Sequence, residues 1–349
     1  MDYQNLQLYG VAETQETEEG IKLLRYPENV VDDLMVPARD ENGGWTQTYT
    51  NHQYTARVCI GMEIRCLYDG DRINVTLNGT KPITVFVFVG DYQVGYYKLG
   101  VGTNTVEAVR PKDSFGIKNT SCNRYPMNLW RIVPESDEPI TLCDFQVNGE
   151  YRKPEEHYVP RMLVYGSSIS QGCGTPFVTM NYVDIAANLL GIEVKNKAIA
   201  GGCFCENSVL EFLLKEEFDC AYFELGTNIA NRPLELIEKR VGGFIDRVAE
   251  AFPDKPLYFM TPIKGLSDVS SISEAYQEYF ENTRRVILTH ARKYRNTVIF
   301  DGHRLLDKDY YLSADVLHPS AYGHVMMGVN LASMIKQSKD KYLKEKNKK

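Results

Sequence analysis

The sequence lacks the features that direct a chain into or through a membrane. Its first residues, Met1 to Leu6, have neither a basic stretch nor an apolar core, so no signal peptide is predicted. No apolar run approaches the ~20 residues that a membrane-spanning helix needs. We therefore expect a cytoplasmic protein that has no membrane partner.

Positive charge and metal-binding patterns are also scarce. The net charge is −7, which makes a nucleic-acid backbone a poor partner. Eight cysteines are present, but the pair Cys203 and Cys205 lacks a zinc spacing and has no nearby histidine. In a cytosolic protein such thiols are expected to be free and buried. The sequence therefore predicts no metal and no cofactor, with a metal role for this pair as a minor alternative.

The chain of 349 residues is long enough for two domains, and its first half has the pattern of β-strands. Residues 1 to about 50 have a mixed pattern, in which Asn29–Pro37 and Asn42–Trp45 are expected to form loops and short edge segments. Asn78-Gly79 predicts a hairpin turn. The predicted strands are Thr55–Tyr68, Arg72–Gly79, Ile83–Val89, Tyr92–Leu99, Thr103–Val109, Met127–Val133 and Ile140–Val147. Many short strands without a long helix indicate a β-sandwich or jelly-roll domain over residues 1–158.

The second half alternates strands with helices, after a polar, proline-bounded linker at Glu150–Pro160. The predicted strands are 162–165, 193–199, 220–225, 257–261 and 298–301, and the predicted helices are 177–190, 207–215, 234–251, 274–293 and 319–337. This alternation predicts a three-layer α/β domain with a five-stranded parallel sheet over residues 159–349.

Four short stretches follow these strands or begin a helix, on the side where α/β sheets bind ligands. They are Gly166-Ser-Ser168, Ala200-Gly-Gly202, Gly226-Thr-Asn228 and Asp315-Val-Leu-His-Pro319. Together they contain the groups that acyl transfer requires: a hydroxyl, a base, a residue that orients the base, and donors for an oxyanion. Each stretch taken alone is also compatible with an ordinary turn.

Asp315 and His318 are three residues apart, so a turn can bring the carboxylate to the imidazole. Pro319 suits the first position of the last helix, which would set His318 at the helix N-terminus and favour its neutral form. A neutral imidazole is what a general base requires. The alternative is a simple helix cap and start. A second pair, His303 with Asp301, is the other candidate base.

The four stretches, in this order, resemble the conserved blocks of the SGNH (GDSL-type) hydrolase superfamily. The resemblance covers about Arg161 to Gln337 and implies a flavodoxin-like, three-layer catalytic domain. It implies Ser168 as the nucleophile and His318 as the base, oriented by Asp315. It also implies oxyanion donors from the Ser168 N–H, the Gly201 N–H and the Asn228 side chain.

The chain departs from the superfamily pattern at four positions. Ser167 stands where an Asp usually precedes the nucleophile, and Ile229 stands where an Asp often follows the Asn. Ala198 and Ala200 replace common Gly and Ser residues. Since Gly202 adjoins Gly201, either glycine could carry the backbone donor.

A β-sandwich before such a domain is similar to bacterial two-domain carbohydrate esterases, such as carbohydrate esterase family 2, and to related acyltransferases. The first hypothesis is therefore a serine esterase that removes acetyl or another small acyl group from a carbohydrate or related small molecule. An acyltransferase with the same triad, and a non-catalytic glycan-binding protein, are the alternatives. The sandwich is expected to act mainly as a scaffold, with a minor part in binding a small-molecule or oligosaccharide ester.

Overall fold

The structure is a computed structural model, and it describes residues 1–34, 52–117, 124–155, 158–269 and 274–346. Its contacts divide the chain into two compact units. The first comprises Met1–Asp32 and Gln53–Val159. The second begins at Pro160 and also includes Asp33, Leu34 and His52.

The first unit contains two antiparallel sheets. Its described strands are β1 (Asp2–Tyr3), β2 (Leu6–Tyr9), β3 (Glu13–Thr17), β4 (Gly20–Leu24), β5 (Glu63–Leu67), β6 (Arg72–Gly79), β7 (Ile83–Val89), β8 (Tyr92–Leu99), β9 (Gly102–Val109), β10 (Leu129–Glu135) and β11 (Ile140–Val147). One sheet has the order β1-β2-β5-β10-β7-β8 and the other β3-β4-β11-β6-β9. Short helix α1 (Glu28–Asp32), helix α2 (His52–Arg57) from its second residue onward, and a 3₁₀ turn at Lys112–Gly116 accompany them.

One continuous core lies between the inner faces of these sheets. In β6, every second residue is buried, and Ile73, Val75 and Leu77 join the core cluster. Trp130 of β10 is fully buried in the same cluster, and its indole N–H donates to the Tyr68 carbonyl at 3.1 Å. The period-two pattern therefore reflects inward and outward faces of a sandwich, as the sequence predicted.

Three local expectations for this unit were wrong. Helix α1 (Glu28–Asp32) forms where a loop or short edge segment was expected from Asn29. The segment Thr55–Arg57 belongs to α2, and β5 starts only at Glu63. Asn78 and Gly79 do not form a hairpin turn, because both pair with β9 and the chain then crosses to the other sheet at β7. The predicted loop at Asn42–Trp45 lies outside the described residues.

The second unit alternates strands and helices. Its strands are β12 (Arg161–Tyr165), β13 (Glu193–Asn196), β14 (Cys220–Glu224), β15 (Leu257–Met260) and β16 (Thr297–Phe300). Its helices are α3 (Ser168–Gln171), α4 (Tyr182–Leu190), α5 (Asn207–Leu213), α6 (Leu234–Ile237), α7 (Gly243–Ala251), α8 (Leu266–Val269), α9 (Glu274–Ala291), α10 (Gly302–Leu305) and α11 (Ala321–Lys346). Two 3₁₀ turns, at Val178–Met180 and Asp309–Tyr311, and a π turn at Glu238–Gly242 complete the described elements.

The five strands form one parallel sheet in the order β13-β12-β14-β15-β16. This is the flavodoxin-like order, so the predicted fold is confirmed. In this order the chain changes direction across the sheet between β12 and β14, and ligands of open α/β sheets bind outside the carboxyl ends of strands at such a point. Ser168 and Asn228 follow these two strands.

The ends of several elements differ from the predicted ones by a few residues. The helix expected from Phe177 starts at Tyr182, where the Asn181 side chain accepts the Asp184 N–H. The strand expected to reach Ile199 stops at Asn196, whose side chain accepts the Ala198 N–H at 3.0 Å. A side chain that satisfies the backbone locally ends the regular element in both cases. None of the helices described is long and apolar enough to cross a membrane.

Candidate active site

The turn after β12 positions Ser168 as the first residue of a helix. Ser167 caps α3: its backbone is extended, and its hydroxyl oxygen accepts the Ile169 N–H at 3.2 Å. Gly172 ends the helix with φ +110°, a conformation that glycine adopts readily. The Ser168 side chain is therefore presented at a sharp strand-to-helix junction.

Ser168, His318 and Asp315 form a continuous chain of hydrogen bonds. His318 Nε2 lies 2.8 Å from Ser168 Oγ, and His318 Nδ1 lies 2.7 Å from Asp315 Oδ2. With the ring proton on Nδ1, the imidazole donates to the carboxylate and leaves Nε2 as an acceptor for the serine proton. The structure thus brings together three residues from two stretches that are about 150 residues apart in sequence.

Asp315 and His318 belong to a closed loop. Leu312 and Pro319 form an antiparallel bridge, and the Ser313 N–H donates to the His318 carbonyl at 2.8 Å. Val316 has φ +55°, which is strained for a β-branched residue. The bridge and the hydrogen bonds of the loop hold this conformation in place.

The last helix starts two residues later than expected. It begins at Ala321, and the Ser320 hydroxyl accepts the Gly323 N–H at 3.1 Å, as an N-cap does. Pro319 pairs with Leu312 instead of opening the helix. His318 therefore lies in the loop before the cap, and the hydrogen bond with Asp315 Oδ2, not the helix dipole, orients its ring.

The hydrogen bonds of Asp315 keep it ionised. Burial raises its pKa, but donors from the His318 side chain and backbone, Ser313 Oγ and the Leu317 N–H outweigh this effect. The net result is a pKa well below the ordinary value of an aspartate. A permanent carboxylate is suited to orient the ring and to stabilise an imidazolium.

The second candidate base is not built as a dyad. Asp301 uses its carboxylate to cap α10, accepting the backbone N–H of His303 at 3.0 Å. The His303 ring instead contacts Asp268 Oδ1 at 3.1 Å and the Arg284 guanidinium. The pairing of His303 with Asp301 as base and orienting residue is therefore wrong.

The turn after β13 distinguishes its two glycines. Gly202 donates its N–H to the Ile199 carbonyl at 2.9 Å, so this donor is engaged within the turn. Gly201 has φ +67°, the left-handed conformation that a glycine tolerates. The Gly201 N–H stays the predicted backbone donor.

The turn after β13 also orients the side chain of Asn228, which itself follows β14. Its Oδ1 accepts the Cys203 N–H at 3.0 Å, which leaves the Nδ2 group as the free donor of the amide. Gly226, two residues earlier, has φ +102°, and a Cβ there would lie 2.3 Å from Thr283 Cγ2. The backbone after β14 thus requires glycine at this position.

Two polar side chains join the Ser168 turn to the Gly201 turn. Gln171 Oε1 accepts the Ala200 N–H at 2.6 Å, and Asn196 Nδ2 donates to the Ser170 carbonyl at 2.8 Å. Both side chains are buried, so the hydrogen bonds are shielded from competing water. The two candidate donor turns are held at a fixed separation before any substrate binds.

Sequence reasoning missed two buried ionisable residues near the site. His324 accepts the Tyr182 N–H on Nδ1 at 3.3 Å and contacts the Cys173 carbonyl through Nε2 at 2.9 Å. Burial lowers its pKa to about 4, so this ring is neutral and structural. Glu224 lies at the end of β14 beneath Ser167. A charged residue in the apolar run Cys220–Leu225 was a signal that could have identified it.

In the described part of the chain, no three His, Cys, Asp or Glu side chains meet in an arrangement that could hold a metal ion. The described cysteines are all free, including Cys203 and Cys205. Burial raises the pKa of Cys203 well above its ordinary value, which favours the neutral thiol over the thiolate that binds metals.

Solved structures with the same fold include esterases and an acyltransferase. A salicylyl-acyltransferase from a tetracycline biosynthetic pathway superposes with a TM-score of 0.72 at 15% identity, over 95% of both chains. A family two carbohydrate esterase from Cellvibrio japonicus gives 0.58 at 14% identity over 95% of both. An acetyl xylan esterase from Butyrivibrio proteoclasticus gives 0.53 at 12% identity, over 88% of this chain and 95% of that one. At these identities the likeness shows the fold alone.

No curated protein sequence matches the chain. Residues 160–336 match the model of the GDSL-like lipase/acylhydrolase family, and this region is just over half of the 349 residues. The region contains all four motifs and the hydrogen-bonded Ser168, His318 and Asp315. The chain therefore belongs to the GDSL-like lipase/acylhydrolase family.

Proposed function

We propose that this protein is a serine esterase that removes a small acyl group, acetyl above all, from a carbohydrate or related small molecule. The observation that carries the proposal is the chain of hydrogen bonds from Ser168 Oγ through His318 to Asp315, with distances of 2.8 and 2.7 Å. These distances are within the range in which a base accepts a proton from a nucleophile.

In the proposed reaction, Ser168 Oγ attacks the acyl carbon while His318 Nε2 takes the hydroxyl proton. The oxyanion of the tetrahedral intermediate accepts hydrogen bonds from the Ser168 N–H, the Gly201 N–H and Asn228 Nδ2. His318 then gives its proton to the leaving alcohol, and the acyl group remains on Ser168. A water molecule, deprotonated by His318, attacks the acyl-enzyme and releases the carboxylic acid.

The substrate class rests on the relatives of the fold. Two of the superposed proteins act on carbohydrate esters by name, and the Cellvibrio japonicus enzyme covers both units of this chain. The salicylyl-acyltransferase supports the alternative, in which an alcohol replaces water as the acceptor of the acyl group. Both reactions share the acyl-enzyme on Ser168 and differ only in its second half.

Mass spectrometry of acetylated oligosaccharides tests the proposal, with and without an added alcohol acceptor. Loss of acetyl in water identifies a hydrolase, and a new ester of the alcohol identifies a transferase. Ser168→Ala should lower the turnover of p-nitrophenyl acetate on the order of 10³-fold or more. Ser136→Ala, which removes a buried hydroxyl from the first unit, is the matched control and should keep wild-type turnover.

Two outcomes would contradict the proposal. If Ser168→Ala retains wild-type turnover, Ser168 is not the nucleophile. If Ser168→Ala keeps wild-type turnover and Ser167→Ala abolishes it, the assignment is wrong by one residue.

A further inference from the structure

Glu224 is a carboxylate held in the centre of the parallel sheet. It is the last residue of β14, which pairs with β12 on one side and β15 on the other, and only 1% of it is exposed. Burying such a group is unfavourable unless hydrogen bonds replace its hydration. Burial does raise the pKa of Glu224, although its hydrogen-bond donors oppose this shift.

The two oxygens of Glu224 serve different turns. Oε2 accepts the Ser167 N–H at 2.8 Å and the Ser167 hydroxyl at 2.6 Å, and it lies 3.2 Å from the Ser170 hydroxyl. Oε1 accepts the Thr227 hydroxyl at 2.9 Å. One carboxylate therefore connects the turn that precedes Ser168 with the turn that precedes Asn228.

On the Ser168 side, these hydrogen bonds fix the cap of α3. Ser167 is held by both its N–H and its hydroxyl, and the same hydroxyl oxygen accepts the Ile169 N–H. Ser168 follows as the first helical residue, a position whose N–H has no acceptor within the helix. Fixing Ser167 thus fixes the direction of the Ser168 N–H.

On the other side, Thr227 lies between Gly226 and Asn228. Its hydroxyl ties the middle of this turn to Oε1, while Asn228 Oδ1 is tied to the Cys203 N–H. The first hydrogen bond fixes the residue before Asn228, and the second fixes the amide oxygen of the Asn228 side chain. The remaining amide donor, Nδ2, then has a defined position.

We propose that Glu224 is a positioning residue that sets the separation of two oxyanion donors, the Ser168 N–H and Asn228 Nδ2. The proposal rests on the proposed function, because the two oxyanion donors belong to that reaction. Glu224 itself takes part in no reaction step. It acts through Ser167 on Oε2 and Thr227 on Oε1. Its consequence is kinetic, since displacing a catalytic group by about 1 Å lowers rates on the order of 10²-fold.

A double-mutant cycle between Thr227 and Asn228 tests this role. Thr227→Val keeps the shape of the side chain and removes only the hydroxyl bonded to Oε1. It is expected to lower kcat for p-nitrophenyl acetate about tenfold with little change in KM, because oxyanion donors act in the transition state. Asn228→Ala is expected to lower kcat by about 10²–10³-fold. In the Asn228→Ala background, Thr227→Val should have almost no further effect.

Thr297→Val is the matched control. The Thr297 hydroxyl bonds to the Ala291 and Tyr294 carbonyls at the edge strand β16, so its loss should lower Tm without changing kcat. Glu224→Gln provides a second variant that keeps the size of the side chain. Its oxygen can accept the Ser167 donors, but its NH₂ group must then donate to the Thr227 hydroxyl oxygen. This reverses the hydrogen bond to Thr227, so kcat should fall while the melting transition remains cooperative.

The outcomes separate this inference from the proposed function. If Ser168→Ala abolishes turnover but the Thr227 and Asn228 effects multiply independently, the positioning role is wrong and the proposed function stands. The positioning role is also wrong if Thr227→Val and Glu224→Gln both keep wild-type kcat. If Ser168→Ala retains turnover, the proposed function fails and this inference fails with it.

Discussion

Asp315 offers the sharpest perturbation of the proposed mechanism, because its two oxygens have separate partners. Oδ1 accepts the Ser313 hydroxyl and the N–H groups of Leu317 and His318, at distances of 2.7 to 3.0 Å. Oδ2 faces His318 Nδ1. In Asp315→Asn, the one remaining oxygen is expected to stay with the three donors, so the new NH₂ group faces Nδ1.

An NH₂ group at that place requires Nδ1 to accept a hydrogen bond. The ring proton then moves to Nε2, which can no longer take the proton of Ser168. The corresponding Asp→Asn change in a serine protease triad, which also produces the wrong tautomer, lowers kcat about 10⁴-fold. We expect a similar loss in kcat/KM here, equivalent to about 5 kcal/mol at about 1.36 kcal/mol per factor of ten.

Steady-state hydrolysis of p-nitrophenyl acetate by Asp315→Asn and Asp315→Ala measures this effect, with Tm as the check on folding. Asp315→Ala removes the carboxylate but leaves the ring free to adopt either tautomer. Asn should therefore be at least as inactive as Ala, although it is closer to Asp in shape. Asp309→Asn, which changes an exposed carboxylate paired with Lys264, is the control and should keep wild-type activity.

The opposite ranking would refute the reasoning. If Asp315→Asn remains within tenfold of the wild type while Asp315→Ala is inactive, Asp315 acts only through the hydrogen bonds of the loop. Its contact with His318 Nδ1 would then have no part in setting the tautomer.

Three further predictions concern stability and metal independence. Folding lowers the pKa of His324 from 6.5 to about 4, so between these pH values the unfolded chain binds more protons than the folded one. The free energy of unfolding is therefore highest above about pH 6.5 and falls as the pH is lowered to about 4. The loss is about 3 kcal/mol, and urea unfolding of His324→Gln should lack it. Gly226→Ala should lower Tm, since it combines φ +102° with a contact of 2.3 Å to Thr283 Cγ2; an unchanged Tm would contradict this. Esterase activity should survive dialysis against EDTA, and loss that zinc restores would overturn the prediction.

Much of the fold could be predicted because local patterns and tertiary structure agree there. The bounds of Arg72–Gly79, Ile83–Val89, Tyr92–Leu99 and Ile140–Val147 are those of β6, β7, β8 and β11. These strands alternate inward and outward residues or end at clear turns. Local patterns do not predict which strands pair. Asn78-Gly79 has the composition of a hairpin turn, but its partners on β9 lie more than twenty residues away in sequence. Residue pattern alone does not contain that information.

In the candidate site, too, local motifs predicted some residues and could not predict others. Ser168, His318, Asp315 and Asn228 were identified because each lies in a short motif at a strand end or helix start. Glu224 has no motif of its own, and its role depends on Ser167, which is 57 residues away in sequence. Ser167 occupies the position at which the superfamily usually has an Asp. In this chain the Ser167 hydroxyl donates to a carboxylate that β14 supplies, that of Glu224.

Backbone strain is the other feature that the sequence could not reveal. In the described residues, three non-glycine residues have positive φ, and two of them, Cys205 and Val316, adjoin the candidate site. A valine is among the residues that disfavour this conformation most, so propensity predicts an extended backbone at position 316. The Leu312–Pro319 bridge and the hydrogen bonds of Asp315 oppose that preference. A strained residue between the base and its orienting carboxylate persists only if the surrounding contacts hold it, so these contacts also fix the distance from Asp315 to His318.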